Sequence, residues 1–149
     1  MAVPEDAGQD PLQQAWRVHS SASALGFDWP DIGGVFEKVR EELGEIEHAW
    51  EGGDRLHAKR ELGVLLFAAV NLARFLDADP SGELIEATAR FARRFELLKQ
   101  EIVREGRRVQ ECSLAELDVV WERVKRMTAE HEKGGKPGFK PGSKRGFEP

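Results

Sequence analysis

The spacing of apolar residues most constrains this chain: over most of its 149 residues they recur at intervals of three and four, and nowhere alternate at length with a period of two. Amphipathic helices satisfy that spacing and strands do not. Breaks rich in Gly, Pro and Asp cut the pattern into five stretches, which predicts an all-α fold of about five helices in an antiparallel bundle, completed by oligomerisation. The first helix is predicted over residues 11–25, ending at Gly26 and the non-helical stretch Phe27, Asp28, Trp29, Pro30, with Asp31 capping the second. That second helix carries Phe36, Val39, Leu43, Ile46 and Trp50 on one stripe and breaks at Glu51-Gly52-Gly53-Asp54, a tight helix-helix turn. The third, over 56–76, is apolar around much of its circumference through Leu62, Leu65, Leu66, Ala69, Val70 and Ala73, as for a central buried helix. Ser81 is expected to cap a fourth, with Leu84, Ile85, Phe91, Phe95, Leu98 and Ile102 inward and Gly106 just past its end. Ser113 and Glu116 form a capping box for a fifth over 114–132, which carries Leu117, Val120, Trp121 and Val124.

Composition narrows the function. With 40% hydrophobic and 33% charged residues the chain can bury a core under a solvated surface, which argues against disorder and against a membrane protein. Its longest nearly pure apolar run, residues 62–70, is short beside the roughly 20 residues a membrane span needs. The first ten residues are acidic and lack an apolar segment, so no secretory signal is expected, and the single Cys112 permits neither an intramolecular disulfide nor a cysteine zinc cage. A cytoplasmic protein is the natural expectation. The length suits one domain, taken as residues 1–132, followed by a tail over 133–149 with five Gly and three Pro that is read as disordered. That tail holds five basic residues and one acidic, leaving the body with a net charge of -9. Such a body is a poor surface for nucleic acid and a good one for collecting a divalent cation.

The acidic residues at the predicted hairpin are the candidate chemistry. Glu41, Glu42 and Glu45 repel one another on a helix by a few tenths, about 0.2–0.5 kcal/mol per pair. If the second and third helices run antiparallel about Gly53, Glu45 lies level with Glu61 and Glu42 level with position 64, and the flanks that carry them face each other. A carboxylate cluster at a helical interface is costly unless a cation neutralises it, and all-oxygen ligation suits Mg²⁺ with waters and phosphate oxygens. Spacing alone leaves a second reading open, in which Glu61 is solvated or pairs with Lys59 or Arg60. His19, His48, His57 and His131 show no metal spacing, and there is neither a Ser/His/Asp arrangement nor a glycine-rich phosphate loop. A metal-activated water is the mechanism that remains.

Several segments carry a family resemblance. Phe27-Asp28-Trp29-Pro30, Lys38-Val39-x-Glu41-Glu42-x-x-Glu45, Glu61-Leu62-Gly63-x-Leu65-Leu66-Phe67-x-x-Val70-Asn71-Leu72-Ala73-Arg74, Asp79-Pro80, Phe91-x-Arg93-Arg94-Phe95 and Leu117-Asp118-x-x-Trp121-x-x-x-Lys125 follow one another over residues 12–128. In order and spacing this chain resembles the MazG nucleoside triphosphate pyrophosphohydrolases. The resemblance implies an all-α enzyme, dimeric or tetrameric, that hydrolyses a nucleoside triphosphate between the α and β phosphates with Mg²⁺, for which Mn²⁺ can substitute. Carried over by position, it implies Glu42, Glu45 and Glu61 as metal ligands and catalytic residues. It implies Lys38, Arg90, Arg94 and Lys125 as phosphate-binding, with Trp121 and Trp29 shaping the base pocket; on spacing, each indole also reads as a packing residue. The family's metal pattern is E-x-x-E followed by E-x-x-D, and here the final aspartate is Val64. That departure should slow turnover more than it weakens binding, and it keeps alive an alternative: a catalytically inactive bundle that binds nucleotide or a partner.

Overall fold

The computed structural model describes residues 10–134, and among them every regular element is helical. The five helices are α1 (Pro11–Ala24), α2 (Ile32–Glu51), α3 (Arg55–Phe75), α4 (Pro80–Arg104) and α5 (Leu114–Gly134), with a short 3-10 turn at Val109–Glu111. The all-α expectation is met, and each predicted helix is present within a few residues of its expected ends. None of the described helices is long and apolar enough to cross a membrane. Most of the basic tail, beyond Gly134, lies outside the described residues. Packing divides the chain into two compact units, Met1–Ala87 and Thr88–Pro149.

In the first unit each helix start is fixed by an aspartate. The Asp10 carboxylate accepts the Leu12 N–H at 3.0 Å, the Asp31 carboxylate that of Gly33 at 2.7 Å and the Asp54 carboxylate that of His57 at 2.9 Å, so donors left bare by helix geometry are satisfied locally. Gly53, at φ 75°, makes the reversal that lays α3 antiparallel on α2. α1 then packs against α3. The buried apolar residues here are Val35, Ala49, Ala58, Ala68 and Val70, small or β-branched side chains that let helices approach closely. Two polar side chains are buried with them, Glu42 and Asn71.

The start of α4 differs from expectation. The helix begins at Pro80, and the Asp79 carboxylate accepts the Ser81 N–H at 3.2 Å, so Asp79 and not Ser81 is the cap. Proline suits the first helical position, which shifts the start one residue earlier. The Ser81 hydroxyl is spent elsewhere: it donates to Asp10, while the Gln13 amide donates to Asp79, so the starts of α1 and α4 share their caps.

The second unit is built on the later turns of α4 and on α5. Leu98, Ile102, Val120 and Val124 form its core, with Ile102 and Val124 wholly buried and Leu117 and Trp121 packed around them. Gly106, at φ 72°, ends α4 as predicted. The capping box is present: the Glu116 carboxylate accepts the Ser113 N–H at 2.7 Å, and the Glu116 N–H donates to the Ser113 hydroxyl at 3.3 Å.

Burial departs most from the sequence reading. The sequence reads α3 as a central buried helix, apolar around much of its circumference, yet Leu62, Leu66 and Phe67 are exposed, as are Phe36, Leu43 and Trp50 on the α2 stripe. Of the α4 residues expected inward, only Leu98 and Ile102 are buried, while Leu84, Ile85, Phe91 and Phe95 are exposed. Periodicity shows which face of a helix is apolar, and whether a neighbour covers that face is decided elsewhere in the chain.

Candidate functional site

A cavity of about 500 Å³ opens in the first unit between α1, the loop before α2, and the facing turns of α2 and α3. That size lies within the range of small-molecule sites, roughly 300–1,000 Å³. Its apolar wall comes from Val18, Phe27, Trp29, Val64 and Phe67, and its polar groups from His19, Asp28, Lys38, Asn71 and Arg74. The Trp29 indole lies on the first turn of α2, where a Cβ at Gly34 would collide with it. Glycine at that position lets the loop close down on the helix.

The loop is latched to α3 by charge. The Asp28 carboxylate accepts from the Arg74 guanidinium at 2.5 Å, the Ser23 hydroxyl at 2.6 Å and the Trp29 N–H at 2.8 Å. Those bonds, led by Arg74, hold its pKa at about 2. Arg74 also donates through Nε to the buried Asn71 Oδ1 at 3.0 Å, which fixes the guanidinium against α3. Across the cavity the His19 ring stacks on Phe67 with centroids 3.8 Å apart, and its Nε2 lies 2.8 Å from the Phe67 carbonyl. A carbonyl only accepts, so Nε2 carries the proton, and burial pushes the His19 pKa down and favours the neutral ring.

The three carboxylates singled out by the sequence occupy the α2–α3 hairpin in unlike settings. Glu42 is buried and ion-paired with Lys38, which sits one turn earlier on α2 and lies 3.1 Å from Glu41 as well. These bonds, Glu42 first, push the Lys38 pKa up. Glu45 is exposed, and Glu61 is partly buried with His57 Nε2 3.1 Å from its carboxylate. Val64 stands on the cavity wall. The donor set is all oxygen, which fits a hard cation such as Mg²⁺ in kind. Among the described residues, however, no three acidic, His or Cys side chains are gathered closely enough to hold a metal ion.

The remaining candidates belong to the second unit. Trp121 packs at the edge of the α4–α5 core, tilted against Phe91 at 5.2 Å, so its packing reading holds within this unit. Arg94 donates through Nε to the Thr128 hydroxyl at 2.9 Å, Lys125 pairs with Glu122 at 2.5 Å, and Arg90 is exposed.

The chain shares 41% identity over 114 residues with the nucleoside triphosphate pyrophosphohydrolase/pyrophosphatase MazG of Thermotoga maritima, covering 76% of this chain and 44% of that protein. The chain is a relative of MazG. The nucleoside triphosphate pyrophosphohydrolase of Escherichia coli K12 is 33% identical over 117 residues, 77% of this chain and 44% of its own length. The chain thus spans less than half the length of these MazG relatives. The uncharacterised YabN of Bacillus subtilis is 36% identical over 67 residues, 45% of this chain and 14% of that protein. No family model matches the chain.

Sequence reasoning did not pick out His19, Asp28, Phe67, Asn71 or Arg74 as site residues, although all line the cavity. A signal was present in Asn71-x-x-Arg74, which puts an amide and a guanidinium on one face of α3, with the acidic Asp28 on an earlier loop as a natural partner.

Proposed function

We propose that the chain is a Mg²⁺-dependent nucleotide pyrophosphohydrolase, converting a (deoxy)nucleoside triphosphate to its monophosphate and pyrophosphate. The observation that carries this reading is the cavity itself: aromatic walls at Trp29 and Phe67, a cation at Lys38, and the acidic hairpin adjoining it. The names of the two MazG relatives, both nucleoside triphosphate pyrophosphohydrolases, support the same chemistry. The resemblance assigns Glu42, Glu45 and Glu61 to the metal. They are not gathered closely enough to hold an ion as they stand, so binding would require them to draw together, and the ion would neutralise phosphate charge and lower the pKa of a water. Lys38 would bind a phosphate from the cavity wall, with Arg90, Arg94 and Lys125 as further phosphate-binding residues. Neutral His19 and the Asn71 amide offer the base hydrogen-bonding groups, while the Asp28–Arg74 latch keeps Trp29 in place.

A second reading has an observation of its own. Val64 puts an apolar side chain where the family pattern has a metal-binding aspartate, and Lys38 already neutralises Glu42. Both favour a chain that binds nucleotide without turning it over. Pyrophosphate release from a panel of nucleoside triphosphates with Mg²⁺ or Mn²⁺ separates the two. Product from the unmodified chain, increased at least about tenfold by Val64→Asp, supports the enzyme; a tenfold gain is about 1.4 kcal/mol of barrier. Product from Val64→Asp alone supports a disabled site, and none from either contradicts hydrolysis.

The same reading includes a homodimer or tetramer. Its support is the exposed apolar surface at Phe36, Leu43, Trp50, Leu62 and Leu66, more than a solitary soluble helix pair ordinarily leaves bare. Light scattering should give a mass at least twice 16.7 kDa, and a monomer contradicts this part.

A further inference from the structure

Two polar groups on the cavity wall have a fixed hydrogen-bonding sense. Asn71 is only 7% exposed, and its Oδ1 accepts the Arg74 Nε–H at 3.0 Å, which settles which way the amide faces and leaves the Nδ2 hydrogens as donors. His19 is fixed in the opposite sense. Its Nε2–H donates to the Phe67 carbonyl at 2.8 Å and burial keeps the ring neutral, so Nδ1 is left as an acceptor. Neither Asn71 Nδ2 nor His19 Nδ1 has a partner among the described residues, and both residues line the cavity. A donor on so little-exposed a side chain is costly to leave unpaired, and the cavity is where a partner can reach it. Phe67, on which the imidazole stacks, and Asn71 are four residues apart on α3, so acceptor and donor stand about one helical turn apart on one face.

We infer that His19 and Asn71 read the pairing edge of a nucleotide base and select one that carries both an amino and an oxo group, which means cytosine or guanine. The inference rests on the proposed use of this cavity for a base. A span of about one turn matches the two outer groups of a pairing edge rather than adjacent ones. On cytosine and guanine those groups are one amine and one carbonyl: the amine N–H donates to His19 Nδ1, and the carbonyl accepts from Asn71 Nδ2. Uracil and thymine offer two carbonyls there, so one oxygen would face the lone pair of His19 Nδ1. Adenine offers an amine and a C–H, which leaves Asn71 unpaired. A site built to hydrogen-bond a group rejects an analogue lacking it far more strongly than a site that merely fits a shape. The pair decides which base is held and takes no part in the phosphate chemistry.

Calorimetry with nucleoside monophosphates tests this without a metal. CMP carries the amine where UMP carries a carbonyl, and GMP differs from IMP only in its 2-amino group. In whichever pair binds more tightly, the amino member should be favoured at least about tenfold. His19→Phe keeps a ring to stack on Phe67 but removes the acceptor, so that ratio should fall to within about twofold of one. A general loosening of the cavity would instead weaken both members alike and leave the ratio standing. Equal binding within both pairs, a preference for UMP or IMP, or a ratio unchanged in His19→Phe overturns the inference and leaves the cavity as a nucleotide site. Absence of binding by all four at millimolar concentration overturns the inference and the base assignment together. Should His19→Phe not fold, the two ratios in the unmodified chain decide the matter on the same terms.

Discussion

The two units solve different packing problems with the same kind of element. On α4 and α5, Leu98, Ile102, Val120 and Val124 close into a core without a buried charge. On α1 to α3 the buried set is smaller in side-chain volume, includes Glu42 and Asn71, and borders a cavity of about 500 Å³. One unit is filled; the other holds space open between polar groups that have been paired off. A cavity and a buried carboxylate contribute little to stability, whereas the filled α4–α5 core contributes mainly packing.

That contrast can be broken by mutation, beginning with the largest effect. Ile102→Ala removes a wholly buried side chain and should cost about 2–5 kcal/mol in urea unfolding; a loss below about 1 kcal/mol would mean the α4–α5 core is looser than described. Next, Arg74→Ala frees Asp28 and uncouples the loop from α3, so hydrogen exchange at residues 26–31 should rise while exchange at Val120 and Val124 stays put. Uniform change in both units would contradict a local latch. Ser113→Ala removes the hydroxyl that accepts the Glu116 N–H and should cost about 1 kcal/mol without altering ligand binding. The smallest effect is in acid. The folded-state pKa of Asp28 lies at about 2, below its ordinary 3.8, so folding favours the ionised form. The latch's contribution is fully present above the ordinary value and disappears as pH falls through about 2. The stability difference between the unmodified chain and Asp28→Asn should therefore shrink across that window. Glu116, also lowered to about 2 by its bonds to Ser113 and Arg107, should behave alike in the other unit.

Local chemistry was legible in the sequence wherever its cause was local. The Ser113–Glu116 box, the reversal at Gly53 and the stop at Gly106 each depend on residues a few positions apart, and each is present. Ser81 misled because Pro80 is itself a helix starter and moves the cap to Asp79. Burial was less legible: angular position places Glu42, Glu45 and Glu61 alike on helix flanks, but packing buries only the first. The cavity was hardest, because its wall joins residues as far apart as Val18 and Arg74, and no spacing rule links them. Lys38, Trp29 and Val64 stand out in the sequence for other reasons, and the structure adds that all three face one space.

The central claim is that this cavity and the acidic hairpin beside it act as one triphosphate site. Calorimetry with a non-cleavable α,β-methylene nucleoside triphosphate tests it most directly, in the presence and absence of Mg²⁺. The account predicts Mg²⁺-dependent binding that weakens at least about tenfold, or about 1.4 kcal/mol, in both Phe67→Ala on the cavity side and Glu61→Gln on the hairpin side. Binding indifferent to Mg²⁺ and to both substitutions, or no binding at all, would contradict it.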